Sequence, residues 1–145
     1  MDSLRIDDGV KRIAINDDPG RVIAFNPTDV TFAEKFYNLI GEFEIKLKEY
    51  QRMSDDLEKT DAKDDNGLPV NMDARLALLR EVCGYIRGRI DYLFGVGTSQ
   101  IAFGDVMAME VFEQFFQGIT PFFQRVRSAK IEQYSSKTYV KKGGK

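Results

Sequence analysis

The chain has 145 residues, 43% hydrophobic and 30% charged, which suits a soluble globular protein with one core of ordinary size and excludes the disordered class. Its 21 basic and 23 acidic side chains leave a formal charge of −2, so nothing pulls it generally toward nucleic acid, and any basic function has to come from a local patch. Histidine is absent, which removes the commonest general base near neutral pH and a common transition-metal ligand, and lowers the expectation of hydrolase or zinc chemistry.

No stretch approaches the roughly 20 continuous apolar residues of a membrane-spanning helix. The opening MDSLRIDDGV has neither the basic region nor the apolar core of a signal peptide, so an intracellular site of synthesis is expected. Residues 4–25 carry short strand signals. Leu4 to Ile6 precedes Asp8-Gly9, a dipeptide that favours a tight hairpin turn, and Lys11 to Ile15 then alternates. Asp17-Asp18-Pro19-Gly20 reads as a second turn and Arg21 to Phe25 as a third strand, with Ile13 and Ile15 facing the same side as Ile23 and Phe25. So small a sheet needs a helix or a neighbouring subunit to cover it, and its outer strand is a candidate edge for a partner.

Pro27 ends the strand region, and Thr28 or Asp29 can cap a first helix. From about Val30 to Leu57, apolar residues recur at three- and four-residue steps, among them Phe32, Phe36, Leu39, Phe43, Leu47, Tyr50 and Leu57. This predicts a helix of about seven turns whose far end projects beyond the core, with Glu42 and Glu44 on the wet face beside Lys46 and Lys48. Residues 59–71 form a polar connection. Their aspartates do not match the spacing of a calcium loop, and a solvated loop is expected. Asn71 or Asp73 can cap a second helix with an apolar stripe of Leu76, Leu79, Val82, Cys83, Ile86, Ile90 and Leu93. Cys83, the single cysteine, reads as a buried thiol there, and Arg75, Arg80, Arg87 and Arg89 make a basic face that is solvated or meets an acidic partner.

YLFGVGTSQIAFGD, residues 92–105, is punctuated by Gly95, Gly97 and Gly104 and has Phe94, Ile101 and Phe103 to pin it to a core. It lacks a lysine and both glycine-rich phosphate-loop patterns, so the glycines are read as supplying positive backbone angles between two helices, with Asp105 capping the second. The segment from Val106 to Val126 is the densest apolar run, and Gly118 and Pro121 are expected to interrupt it, with Thr120 capping a new helix. It is apolar on too many faces for one wet helix, so it is either central in a bundle or contacts another subunit on its second side. Met107, Met109, Val111, Phe112, Phe115, Phe116, Phe122 and Phe123 are its candidate protein-interaction residues. Ile131 and Tyr134 can extend the stripe, and residues 137–145 read as a flexible basic tail.

The expected fold is mainly α, a helical bundle of about four helices with a small N-terminal antiparallel β-hairpin or meander. Its divisions are a β-rich arm over 1–27, a helical domain over 28–136 and the tail.

YLFGVGTSQIAFGD, EVFEQFFQGITPFFQRV and YSSKTYVKKGGK together resemble the tail assembly chaperones of bacteriophages and prophages of Gram-positive hosts. The matching positions are Phe94, Gly95, Gly97, Thr98, Ser99, Phe103, Gly104 and Asp105 in the loop, with Phe112, Phe116, Gly118 and Pro121 beyond it. The resemblance implies a helical, non-enzymatic protein of the host cytoplasm without cofactor or metal. It implies tape measure protein and tail tube protein as partners and self-association into a homo-oligomer; membrane and nucleic acid are not expected partners. A structural virion protein, from the tail or the head-tail connector, is the alternative.

Overall fold

The computed structural model describes residues 1–123. Strands β1 (Lys11–Ile15) and β2 (Asp18–Phe25) form an antiparallel hairpin, followed by α1 (Val30–Glu58), α2 (Met72–Phe94), the short α3 (Thr98–Phe103) and α4, helical from 109 to 123 where the described residues stop. The fold is mainly α with a small N-terminal hairpin, as the patterning predicts. The expected extension of the last stripe through Ile131 and Tyr134, and the tail at 137–145, lie outside the described residues.

The expected first strand does not form. Leu4 and Ile6 are exposed, and Asp7 and Asp8 accept hydrogen bonds from the amides of Gly9 (3.0 Å) and Val10 (3.1 Å), which turns the chain on itself before β1. The hairpin turn lies two residues earlier than expected, with Ile15 paired to Asp18. Asn16 and Asp17 take positive φ of 54° and 60°, the geometry whose twist matches two paired strands. Pro19 and Gly20 therefore sit within β2, where the register slips between Ala14 and Ile15, so Pro19 occupies an irregularity rather than a ladder position. Ile13 pairs with Ile23, and the inner face bearing Ile23 and Phe25 is buried.

Asp29, not Thr28, caps α1, its carboxylate accepting from the Thr31 amide at 2.9 Å. Asn71 stands at the cap position of α2 but caps nothing with its side chain. Its carboxamide instead donates to the Leu57 carbonyl at 2.8 Å, and the Arg75 guanidinium reaches the same carbonyl at 3.2 Å and that of Thr60 at 3.3 Å. The end of α1 is thus satisfied from the start of α2, which pulls the two into an antiparallel pair.

Glu42 departs from the wet face expected for it. It accepts from the Tyr85 hydroxyl and from Arg89 Nη2 at 3.1 Å, joining α1 to α2 at mid-length, while Lys46 pairs with Glu49 at 3.8 Å.

α4 lies against α1 in the opposite direction. Phe116 meets Phe43 at 5.7 Å between centroids, and Phe123 stacks on Phe36 and Phe32 at 4.4 Å and 5.1 Å. On its other flank Phe112 and Phe115 pack edge-on against Phe103, at 5.0 Å and 5.5 Å. Phenylalanines from both flanks therefore surround its apolar side, while Glu113, Gln114, Gln117 and Pro121 form the exposed side. The helix is not broken at Gly118 or Pro121, and Thr120 caps no new helix. Its hydroxyl donates back to the Phe116 carbonyl at 2.6 Å.

Candidate partner-binding groove

The geometry of the 95–108 region decides where α4 starts. Gly95 ends α2 at φ 117° and Gly104 ends α3 at φ 59°, ψ −133°, both outside the range a side-chain-bearing residue takes cheaply. Gly97, also at positive φ, precedes α3, an element the glycine pattern conceals. Asp91 accepts from the Ser99 amide at 2.8 Å at the start of α3, and arginines hold its end. Arg21, aimed there by the irregularity in β2, donates to the carbonyls of Ile101 (3.0 Å) and Ala102 (2.9 Å), and Arg87 to those of Gly104 (2.7 Å) and Val106 (2.9 Å). Asp105 is exposed and accepts from Gln100 at 3.2 Å instead of capping α4, which begins later, at 109. Phe94 and Phe103 are buried and pin the segment; Ile101 faces outward and does not.

Because α4 starts late, no third helix packs against the far ends of α1 and α2 among the described residues. Leu76 and Leu79, expected within the buried stripe of α2, are 55% and 45% exposed, and Met53 on α1 is 44% exposed. α1 does project beyond the core, as its length suggests, and α2 projects with it.

An apolar trough follows α1 along this surface. Its first part, of about 290 Å³, is walled by Phe36, Ile40 and Phe43 on one side and by Phe116 and Thr120 on the other. It continues past Phe112, Glu113 and Met109, and ends in a groove of about 400 Å³ between the projecting arms, lined by Tyr50, Ser54, Leu57, Leu78 and Leu79.

The candidate interaction residues divide between the core and this trough. Phe112, Phe115 and Phe123 are buried at 2%, 8% and 5% exposure and are closed to a partner, apart from the edge that Phe112 shows in the trough. Met107, Val111 and Phe122 are half-buried, and Met109 and Phe116, also half-buried, line the trough itself. The opposite wall was missed as a binding surface. Its signal is the doubling of apolar positions at Phe36-Tyr37 and Leu39-Ile40, where Tyr37 and Ile40 remain 70% and 43% exposed.

The arginine face of α2 is largely spent inside the molecule. Arg75 and Arg87 hold loop carbonyls and Arg89 pairs with Glu42, its Nε 3.0 Å from the carboxylate, while Arg80 is exposed. Cys83 is fully buried, and burial pushes its thiol up, away from the reactive thiolate. Burial and the Glu42 hydrogen bond likewise push the Tyr85 phenol up, so it stays a neutral donor. Among the described residues no three or more acidic or cysteine side chains are grouped to hold a metal ion, and no helix is long and apolar enough to cross a membrane. Beside α4 the trough offers apolar area with few polar anchors, which suits a side-chain stripe of another protein better than a small polar substrate, while Gln51, Ser54, Glu58 and Arg75 add polar groups in the groove between the arms.

No curated protein and no solved structure matches the chain. A family model matches residues 20–144, a span that takes in most of β2 and all the described helices, and the chain therefore belongs to the family of unknown function DUF6673.

Proposed function

We propose that this protein is a phage tail assembly chaperone that holds apolar helical segments of the tape measure protein in the trough between α1 and α4. The observation that carries the reading is that trough, with Ile40 and Phe43 facing Phe116 along a surface where polar anchors are few. The resemblance in the loop and last helix supplies the partner. A fully seated Leu or Phe of the partner contributes about 1.5–3 kcal/mol, so a few such side chains give reversible binding, and many copies along one long partner add avidity. Masking of this kind makes and breaks no covalent bond, and the growing tail tube displaces the chaperone.

The experiment is co-expression with tape measure fragments encoded by neighbouring genes. Wild-type protein is expected to keep the fragments soluble and Ile40→Glu to lose that effect with its helical signal retained. Fragments equally soluble with both proteins would contradict the reading. Mass spectrometry of finished particles separates it from a structural virion protein: a chaperone is absent from them, a tail or connector component present.

A further inference from the structure

Four charged side chains line the trough, and three of them are carboxylates. Glu44 stands in the part beside Phe116, Glu113 in the middle and Glu58 in the groove between the arms. All three are exposed, and among the described residues their carboxylates have neither a hydrogen bond nor an ion pair. Lys48, one turn on from Glu44, forms no ion pair with it. The lining cation, Arg75, is spent on the carbonyls of Leu57 and Thr60. The surroundings lean the same way, since residues 49–73 hold eight carboxylates against three cations.

The carboxylates are spaced along the edges of an apolar floor. Glu44, Gln51 and Glu58 stand seven residues apart and form one row along α1, beside the row of Ile40 and Leu47. Glu44 and Glu58 are about 21 Å apart along that row, at a rise of 1.5 Å per residue. Glu113 stands across the trough from them, on α4.

The walls decide the backbone form of an occupant. They are helices, and their amides and carbonyls are bonded within α1, α2 and α4. An extended segment laid between them finds few partners for its own backbone, whereas a helix arrives with its backbone bonded. Lysine and arginine stems lie along apolar surface and carry their charged heads to its edge, where Glu44, Glu58 and Glu113 stand. A helix with acidic flanks meets repulsion at the same places.

We propose that the trough receives an amphipathic helix of another protein, about five turns long, whose apolar stripe is flanked by lysine or arginine. This assignment rests on the reading of the trough as a partner-binding surface and adds the charge of what binds there. It does not depend on the helix coming from a tail protein.

The test titrates full-length protein into labelled synthetic peptides of about 18 residues, read by fluorescence anisotropy. One peptide has leucine at three- and four-residue steps with flanking lysines, a second has glutamate in place of lysine, and a third is the lysine peptide shuffled to leave no stripe. Wild type is expected to bind the lysine peptide about tenfold more tightly than the glutamate peptide, a preference that fades at high salt. It is expected to bind the shuffled peptide weakly. Glu44→Lys, Glu58→Lys and Glu113→Lys together are expected to reverse the preference with the helical signal retained. Glutamine at the same three positions serves if that signal changes, and is expected to abolish the preference.

Equal affinity for the lysine and glutamate peptides, equal affinity for the shuffled peptide, or a triple variant with the wild-type preference would overturn the proposal. So would a lysine peptide that binds only after Lys137→Glu, Lys141→Glu and Lys142→Glu, which would assign the trough to the chain's own basic end. Capture of tape measure fragments without any charge preference among the peptides would leave the chaperone reading standing and this inference refuted. Peptide binding with the expected preference but no capture of fragments would do the reverse.

Discussion

The Phe123 ring stacks on Phe36 with centroids 4.4 Å apart and an interplanar angle of 25°. The contact clamps the end of the described part of α4 to the opening turns of α1, and Phe32 and Phe25 continue the stack toward the hairpin. Phe123→Ala removes a buried ring at the point where three elements meet, and is expected to destabilise the fold by about 3–5 kcal/mol in urea unfolding. Phe115→Glu, at a residue 8% exposed between Phe94 and Phe103, is expected to abolish cooperative unfolding altogether. A folded, merely less associated Phe115→Glu would contradict the placement of that ring in the intrachain core.

Arg87 holds the chain between α3 and α4 through the carbonyls of Gly104 and Val106 while its guanidinium sits 5.8 Å from the Phe103 ring centre. Arg87→Met keeps much of the stem and removes the donors. It is expected to cost about 1.5–3 kcal/mol, the range for hydrogen bonds to charged groups, against less than about 0.5 for Arg80→Met on the exposed face. Hydrogen exchange should accelerate over residues 98–106 in the Arg87 variant, and equal stability of the two variants would count against the role given to Arg87.

Gly104→Ala is expected to destabilise by about 1–3 kcal/mol although no atom lies within 4 Å of the added methyl group. The cost is conformational, because φ 59° with ψ −133° is a region side-chain-bearing residues avoid. Gly118→Ala, in the middle of α4 with equally open space, is expected to stabilise by about 0.4–1 kcal/mol. Thermal melts of the pair give the comparison, and the same sign for both would contradict the backbone assignment.

Stability is expected to fall in alkali. The Tyr85 phenol is raised above its ordinary 10.0 by burial first and then by Glu42, with Arg89 opposing. The folded state then holds a proton that the unfolded state releases, so the contribution is complete below pH 10 and is lost as pH rises beyond it. Cys83, raised from 9.0, and Tyr50, raised from 10.0, add slopes of the same sign. Tyr85→Phe is expected to be less stable than wild type at neutral pH yet to lose less between pH 10 and pH 11, as read from urea midpoints. Parallel profiles would show that Tyr85 does not titrate with unfolding.

Local rules made much of this fold legible. The three- and four-residue spacing from Phe32 to Leu57 marks α1 nearly to its ends, and the alternation at Ile13 and Ile15 marks the strand that pairs with Ile23. What escaped depends on partners remote in the chain. Glu42 leaves the wet face because Tyr85 and Arg89 stand opposite it, and Leu76 and Leu79 stay exposed because α4 begins only at 109. α3 has six residues, too few for a period to show, and Asn71 spends on Leu57 the side chain that was expected to cap α2. The binding surface was half visible. Met109 and Phe116 stand out by composition, but their facing wall on α1 reads as ordinary core until the gap beside Ile40 is seen.

The trough's role is tested most directly by light scattering coupled to size exclusion, with co-expressed tape measure fragments, comparing wild type with Ile40→Glu. Wild type is expected to elute in a complex whose mass includes the fragment, and Ile40→Glu, folded, to elute without it. A wild-type chain that ignores the fragments, or an Ile40→Glu chain that carries them equally well, would contradict a partner-binding trough.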